Sequence, residues 1–108
     1  MGMSSDLIKG SVVPIVLSLL SDRAMYGYEI VKVVNARTNG LFEWKEGTLY
    51  PTLHRLQGAR FISAEWSDAP GRKRKYYHLT AKGKRELAKR AAEWEQFSLA
   101  VNACMQGA

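Results

Sequence analysis

The chain is poor in the residues that build disulfide, metal and redox sites. Its 108 residues include one cysteine, Cys104, and two histidines, His54 and His78. One thiol closes no disulfide within the chain and supplies no paired-cysteine metal site. Neither histidine has a cysteine or acid at ligand spacing, so no metal and no cofactor are expected. No glycine-rich phosphate loop, nucleophile–base signature or paired-carboxylate motif occurs, which argues against an enzyme. Long apolar runs are missing as well. VVPIVLSLL, residues 12–20, is interrupted by Pro14 and Ser18 and lacks a small-residue cleavage site. It is half the length of the roughly 18 apolar residues a membrane span needs. Neither a span nor a signal peptide is expected, and the cytoplasm is the simplest location. Repeats, low-complexity tracts and interdomain linkers are not evident, and the length suits one domain with a small core.

Acidic residues are scarce in one region in particular. Residues 72–90 hold nine of the sixteen Lys and Arg against a single acid, Glu86, for a charge of +8. The remainder of the chain carries seven bases and nine acids, or −2, within a net charge of +6. A basic region this lopsided favours a polyanionic partner, nucleic acid first, over a merely solubilising face.

Hydrophobic spacing divides the chain into elements. SSDLIKGSVVPIVLSLLSD reads as one largely buried helix ending near Leu20. Pro14 sits in its first turn if Ser11 is the N-cap, and inside the helix if it begins nearer Asp6. RAMYGYEIVKVVNARTNG reads as a second helix, with Gly27, Ile30, Val31 and Val34 at helical spacing and Asn39-Gly40 at its exit. Gly27 suits close packing, and one of Tyr26 and Tyr28 is expected in the core. A short linker with Phe42 and Trp44 leads to EGTLYPTLHRLQGARFI, a helix with a proline inside it.

At about 100° per residue, Leu49, Leu53 and Leu56 fall within one sector of about 60° and form a core-facing seam. Gly47, Thr48, Pro51, His54 and Arg55 lie opposite, with Tyr50 at the border. If Thr48 is the N-cap, Pro51 forfeits no hydrogen bond; if the helix begins earlier, its ring presses on the carbonyl of Gly47. Gly58 is a candidate stop. ISAEWSDAPGRKRKYYHLT reads as two strands, with Ile62, Ala64 and Trp66 alternating, a break at Asp68-Ala69-Pro70-Gly71 and a return through Tyr76, Tyr77 and Leu79. Tyr77 and Leu79 are expected in the core. Thr80 is a good N-cap for a last helix reaching about Met105. Along it Leu87, Ala91, Trp94, Ser98, Val101 and Met105 follow a 4-3-4-3-4 spacing beside a stripe of Phe97, Ala100 and Cys104. One small domain cannot bury so much apolar surface, so a second chain is expected there.

The expected fold is mainly α with a small β-hairpin, an α+β winged helix-turn-helix over residues 1–80 and a dimerisation helix over 81–108. A core-locked third helix with a polar outer face suits the major groove, and a hairpin tipped with GRKRK suits phosphates or the neighbouring minor groove. LIKGSVVPIVLSLL, MYGYEIVKVV, EGTLYPTLHRL and GRKRKYYHLTAKGK together resemble the PadR-like transcriptional regulators, specifically short members with a single C-terminal helix. The resemblance runs from about Leu7 to Lys84; beyond it only an amphipathic helix matches. Lys45 or Glu46 stands where a good capping residue is expected.

That resemblance implies a homodimer joined through the last and first helices, and repression at an inverted-repeat operator in double-stranded DNA. By position, Thr48, Tyr50, Pro51, His54 and Arg55 are offered to DNA, with Arg72, Lys73 and Arg74 from the wing. Arg55 suits a phosphate or a guanine edge, Thr48 a cap or a phosphate, and Tyr50 a phosphate or packing against the wing. Lys75 suits support of the strand, and the charges from Lys82 to Arg90 a general field. In resembling regulators, aromatic residues of the last helix line a dimer-interface cavity for flat aromatic effectors. Trp94 and Phe97 are the candidates for that role, and dimer core is their alternative. A winged-helix protein–protein module and a non-specific DNA-architectural protein are the rival functions.

Overall fold

The computed structural model describes residues 3–68 and 70–107. Five helices run α1 Ser5–Lys9, α2 Val12–Asp22, α3 Gly27–Arg37, α4 Glu46–Gly58 and α5 Ala81–Gln106. Three strands, β1 Met25–Tyr26, β2 Ile62–Ser67 and β3 Arg74–Leu79, form one antiparallel sheet in the order β1-β3-β2. The fold is therefore mixed α+β, with the expected hairpin widened by one short strand.

The stretch expected as a first helix is two helices. The break falls at Gly10-Ser11, where the Ser11 hydroxyl donates to the Ile8 carbonyl at 2.7 Å instead of capping α2. Ser11 is the N-cap position by backbone, so Pro14 is the third helical residue, where no intrahelical bond is forfeited. Val16, Leu17, Leu19 and Leu20 then enter the core.

Met25 and Tyr26, expected to be helical, instead pair with Tyr77 and Tyr76. Met25 is the buried anchor of that pairing. Tyr26 ends the strand and serves as N-cap of α3 without a side-chain cap. The Glu29 carboxylate instead reaches back to the Tyr26 N–H at 3.4 Å and pairs with Arg23. Ile30, Val31 and Val34 bury the inner face of α3. Asn39 then takes a left-handed backbone, φ 52°, and Gly40 donates to the Asn35 carbonyl at 2.7 Å, which ends the helix.

Asn35 also fixes the linker to α4. Its side chain donates to the Trp44 carbonyl at 3.0 Å and accepts from the Trp44 N–H at 2.7 Å. Trp44 is buried, and its indole N–H has no acceptor among the described residues, so the Asn35 pair carries the polar share of this anchor.

Helix α4 begins at Glu46, with Lys45 as an N-cap that makes no side-chain bond. Thr48 is thus the third helical residue and not the cap, and Pro51 lies inside the helix. Without an N–H, Pro51 leaves the Gly47 carbonyl lacking its usual helical donor; both residues are exposed, so water can take that place. Leu49, Leu53 and Leu56 are buried as their spacing requires, joined by Thr52. The helix runs through Gly58, and Arg60 rather than Gly58 adopts the left-handed turn, φ 66°. Arg60 and Phe61 donate to the carbonyls of Gln57 and Leu56, both at 3.0 Å, and close the end in a Schellman arrangement.

Strands β2 and β3 pair from Ile62↔Leu79 to Ser67↔Arg74. Burial fades toward the tip: Ile62 is buried, Ala64 is intermediate, and Trp66 is exposed although it shares their side of the strand. The hairpin leaves the core as it extends, which makes it a wing. Of the expected break, Ala69 lies outside the described residues, while Gly71 has φ 84°, a conformation that glycine adopts without steric cost.

Thr80 caps α5 as expected, accepting from the Gly83 N–H at 3.0 Å. Its hydroxyl reaches the Arg60 carbonyl at 2.7 Å, and its N–H donates to the Phe61 carbonyl at 3.1 Å. The end of α4, the base of the wing and the start of α5 therefore meet at one point.

Candidate nucleic-acid interface

The seam of three leucines locks the rotation of α4, and the opposite face is what remains for a partner. Gly47, Thr48, Pro51, His54 and Arg55 are all exposed. Arg55 donates to the Thr52 hydroxyl at 3.3 Å, one loose tether that leaves the rest of its donor fork free. Tyr50 stands at the edge of this face. Its ring covers Gly27, where an added Cβ would sit 2.6–2.8 Å from the Tyr50 ring and hydroxyl. Its hydroxyl donates to Glu46 Oε1 at 3.1 Å. Desolvation, then that hydrogen bond and the Glu46 charge, raise the Tyr50 phenol above the ordinary 10.0. Tyr50 is thus seated against α3, and Gly27 provides the seat.

On the wing, Arg72 and Lys73 are exposed beyond the last strand pairing. Arg74 differs: its guanidinium lies 4.3 Å from the Tyr26 ring centroid, and Tyr26 meets Tyr76 edge-on at 5.5 Å. This stack ties the wing to the N-terminus of α3. Lys75 lies 5.6 Å from the Tyr77 ring, consistent with support of the strand. Tyr77 is buried and Leu79 packs against the core. Of the tyrosine pair flanking Gly27, neither is fully buried: Tyr26 is intermediate and Tyr28 is exposed, because Gly27 leads into the helix with the Tyr28 side chain outward.

Glu46, the partner of Tyr50, and Tyr26, the partner of Arg74, are not among the residues that the sequence offers as candidates. The i, i+4 spacing of Glu46 and Tyr50 on a helix was the available signal for the first. The second depends on β1, two residues too short to leave a pattern.

The last helix leaves its apolar stripe uncovered. Phe97 is 59% exposed and Met105 79%, and Trp94, Leu99 and Val101 are also open to solvent. Trp94 and Phe97 pack at 5.8 Å between ring centroids. Leu87, the first seam residue, packs on the domain's own core, and Ser98 is half-buried. A hollow of about 400 Å³ between α2 and α5 is lined by Pro14, Ile15, Leu87, Ala91 and Trp94, among others, but not by Phe97. Cys104 is free and exposed. No described helix is long and apolar enough to cross a membrane.

A helix pair in which α3 supports α4, followed by a two-stranded wing, is a winged helix-turn-helix, extended here by a long C-terminal helix. The profile of the "Transcriptional regulator PadR-like family" matches residues 16–89, and the chain belongs to that family. An uncharacterised protein of Lysinibacillus sphaericus is 38% identical over 104 residues, covering 95% of each chain. A transcriptional regulator from Clostridium thermocellum superposes with a TM-score of 0.85 at 36% identity, covering 93% of this chain and 95% of that one. A PadR-like transcriptional regulator from Bacillus cereus gives 0.83 at 33% identity, over 96% and 100%.

Proposed function

We propose that this transcriptional regulator is a dimeric cytoplasmic repressor that binds an inverted-repeat operator in double-stranded DNA. Residues 1–80 bind DNA and residues 81–108 join two chains. Thr48, Tyr50, Pro51, His54 and Arg55 face the major groove, and Arg72, Lys73 and Arg74 serve the wing. The observation that carries this reading is the exposure of one polar face on α4, whose opposite face is locked into the core, beside a wing tip of exposed cations. Tyr50, seated on Gly27, borders this face, while Arg55 keeps donors free for a phosphate or a guanine edge.

The open stripe on α5 supports pairing with a second copy through Ala91, Trp94, Val101 and Met105, with Ser98 half-buried beside them and Leu87 shared with the domain's own core. Paired α5 helices would bring Trp94 and Phe97 of two chains together. A flat aromatic molecule stacked there would favour one dimer geometry. If that geometry misplaces the two α4 helices against successive major grooves, the molecule releases the repressor.

Fluorescence anisotropy with DNA upstream of the protein's own gene, against excess scrambled duplex, tests the reading. Competitor-resistant binding of two chains per site is expected, and Arg55→Ala should weaken it. Equal competition by scrambled DNA would leave a non-specific architectural protein. No salt-dependent binding to any duplex would leave a protein–protein module.

A further inference from the structure

We propose that α4 is flanked by two phosphate seats, one on each edge, which hold the two DNA strands bordering a single major groove. Lys9 and Lys45 serve one seat, and Lys32 with Tyr28 serves the other. The inference rests on the DNA-binding reading above and adds four residues to it.

Two clefts carry the argument. The first, about 470 Å³, lies between α1, the 41–45 linker and α4, and gathers Lys9, Lys45 and Arg55 with Glu43 as its one carboxylate. The second, about 430 Å³, lies between the start of α3, the first turn of α4 and the wing, and gathers Lys32, Arg72 and Arg74 with Glu46. Three cations and one carboxylate give each cleft a net charge of +2. Among the described residues none of these six cations is in an ion pair; the salt bridges formed are Arg23–Glu29, Arg37–Asp22 and Arg90–Glu86.

The clefts are also placed as a helix in a groove requires. Helix α4 gives Thr48, Pro51, Thr52 and Arg55 to the first and Glu46 to the second. At about 100° per residue, Glu46 and Arg55 point to opposite edges of the helix, with Gly47, Pro51 and His54 between them. A helix in the major groove, about 12 Å wide, has a phosphate strand on each side. The first helix of a helix-turn-helix crosses one of those strands, and here α3 carries Tyr28 and Lys32 on its exposed side. The Lys32 ammonium lies 5.1 Å from the Tyr28 ring, which holds it along the helix toward the cleft they share.

The test measures log K against log salt for wild type, for Lys9→Ala combined with Lys45→Ala, and for Lys32→Ala. Lys89→Ala, exposed on α5 and outside both clefts, is the control for charge loss alone. Both the upstream and the scrambled duplex are used, and thermal unfolding confirms that each variant is folded. The cleft variants should weaken binding several-fold on both duplexes, with base preference kept. Their salt slope should fall by about 0.9 per chain for each phosphate no longer neutralised, while Lys89→Ala, which removes one charge of the general field, should lower it by clearly less. Cleft variants that behave like Lys89→Ala would overturn the seats in favour of a diffuse field. An unchanged slope in the cleft variants, with a steep one in wild type, would also overturn the seats while leaving the DNA reading intact. A wild type with no salt-dependent binding would remove both.

Discussion

Replacing Gly83 by alanine places a methyl group where three elements meet. In an open helix the change would stabilise by about 0.5–1 kcal/mol, because alanine loses less backbone freedom than glycine. Here the new Cβ falls far inside contact distance of the Phe61 carbonyl oxygen and 2.8 Å from Leu79 Cδ1. The leucine tip can turn aside. The carbonyl cannot, because it accepts from the Thr80 N–H at 3.1 Å and lies 3.0 Å from the Thr80 hydroxyl. Displacing α5 from the base of β2 costs about 1–3 kcal/mol in overpacking. Loosening the Thr80 bonds adds about 0.5–1.5 kcal/mol each. We expect a net loss of about 2–4 kcal/mol, a large part of a stability of about 5–15 kcal/mol. Urea unfolding at fixed protein concentration reads the change, since the proposed dimer would make the midpoint concentration-dependent. Gly58→Ala is the control, because a Cβ there meets nothing within 4 Å in the last turn of α4. It should be neutral or stabilise by up to about 1 kcal/mol. Equal midpoints for the two variants would refute the packing argument.

Three further outcomes follow from the same geometry. Gly27→Ala should lift Tyr50 off α3 and break its bond to Glu46, costing about 1–3 kcal/mol by overpacking; Tyr50→Ala in that background should recover part of the loss. Alkaline unfolding should report Tyr50 and Tyr77, whose phenols are both raised above 10.0, mainly by burial. The unfolded chain loses these protons first, so their contribution is whole below pH 10 and is lost as pH rises through the folded values. Tyr77→Phe and Tyr50→Phe should each flatten that decline, and an unchanged decline in both would count against it. Truncation after Lys89 removes the uncovered stripe, and sedimentation should then show a monomer; a dimer that persists would place the interface elsewhere.

The leucine seam of α4, the Thr80 cap, the buried face of α3 and the strand alternation were legible because each depends on residues close in sequence. Three features were not. The start of α4 has no capping side chain, since Lys45 is the N-cap, so local chemistry left a cap at Thr48 and an earlier start both open. Strand β1 is two residues long and exists through its pairing with Tyr76 and Tyr77, some fifty residues away. The break between α1 and α2 falls where the Ser11 hydroxyl bonds back to Ile8, at one of the two starts that local chemistry left open for a single helix. In the candidate site, the outward residues of α4 followed from helical geometry. Their neighbours Glu46, Tyr28 and Lys32 did not, because a cleft is shared by elements that only tertiary packing brings together.

Pro51 shows why an exposed face can keep what a core would reject. Its missing N–H deprives the Gly47 carbonyl of a helical donor, a defect that would cost free energy if buried without a partner. On an exposed face water offsets most of it, and the rigid ring adds shape without side-chain entropy. The node around Thr80 gives this face its wider consequence. The turn that closes α4 contains Arg60, whose carbonyl accepts from the Thr80 hydroxyl, and that same hydroxyl caps α5. Lys82 adds a bond from α5 to the Ala59 carbonyl at 2.9 Å. Between the end of α4 and the first turn of α5 there is thus no flexible joint to absorb a rotation. In a dimer built on α5, a change in how two α5 helices pack would reach the spacing of the two α4 helices almost undiminished. Thr80→Ala tests this coupling. By removing the shared hydroxyl it should weaken operator binding by the dimer more than binding of a single half-site. Equal losses on the two would mean that the joint is not what sets the spacing.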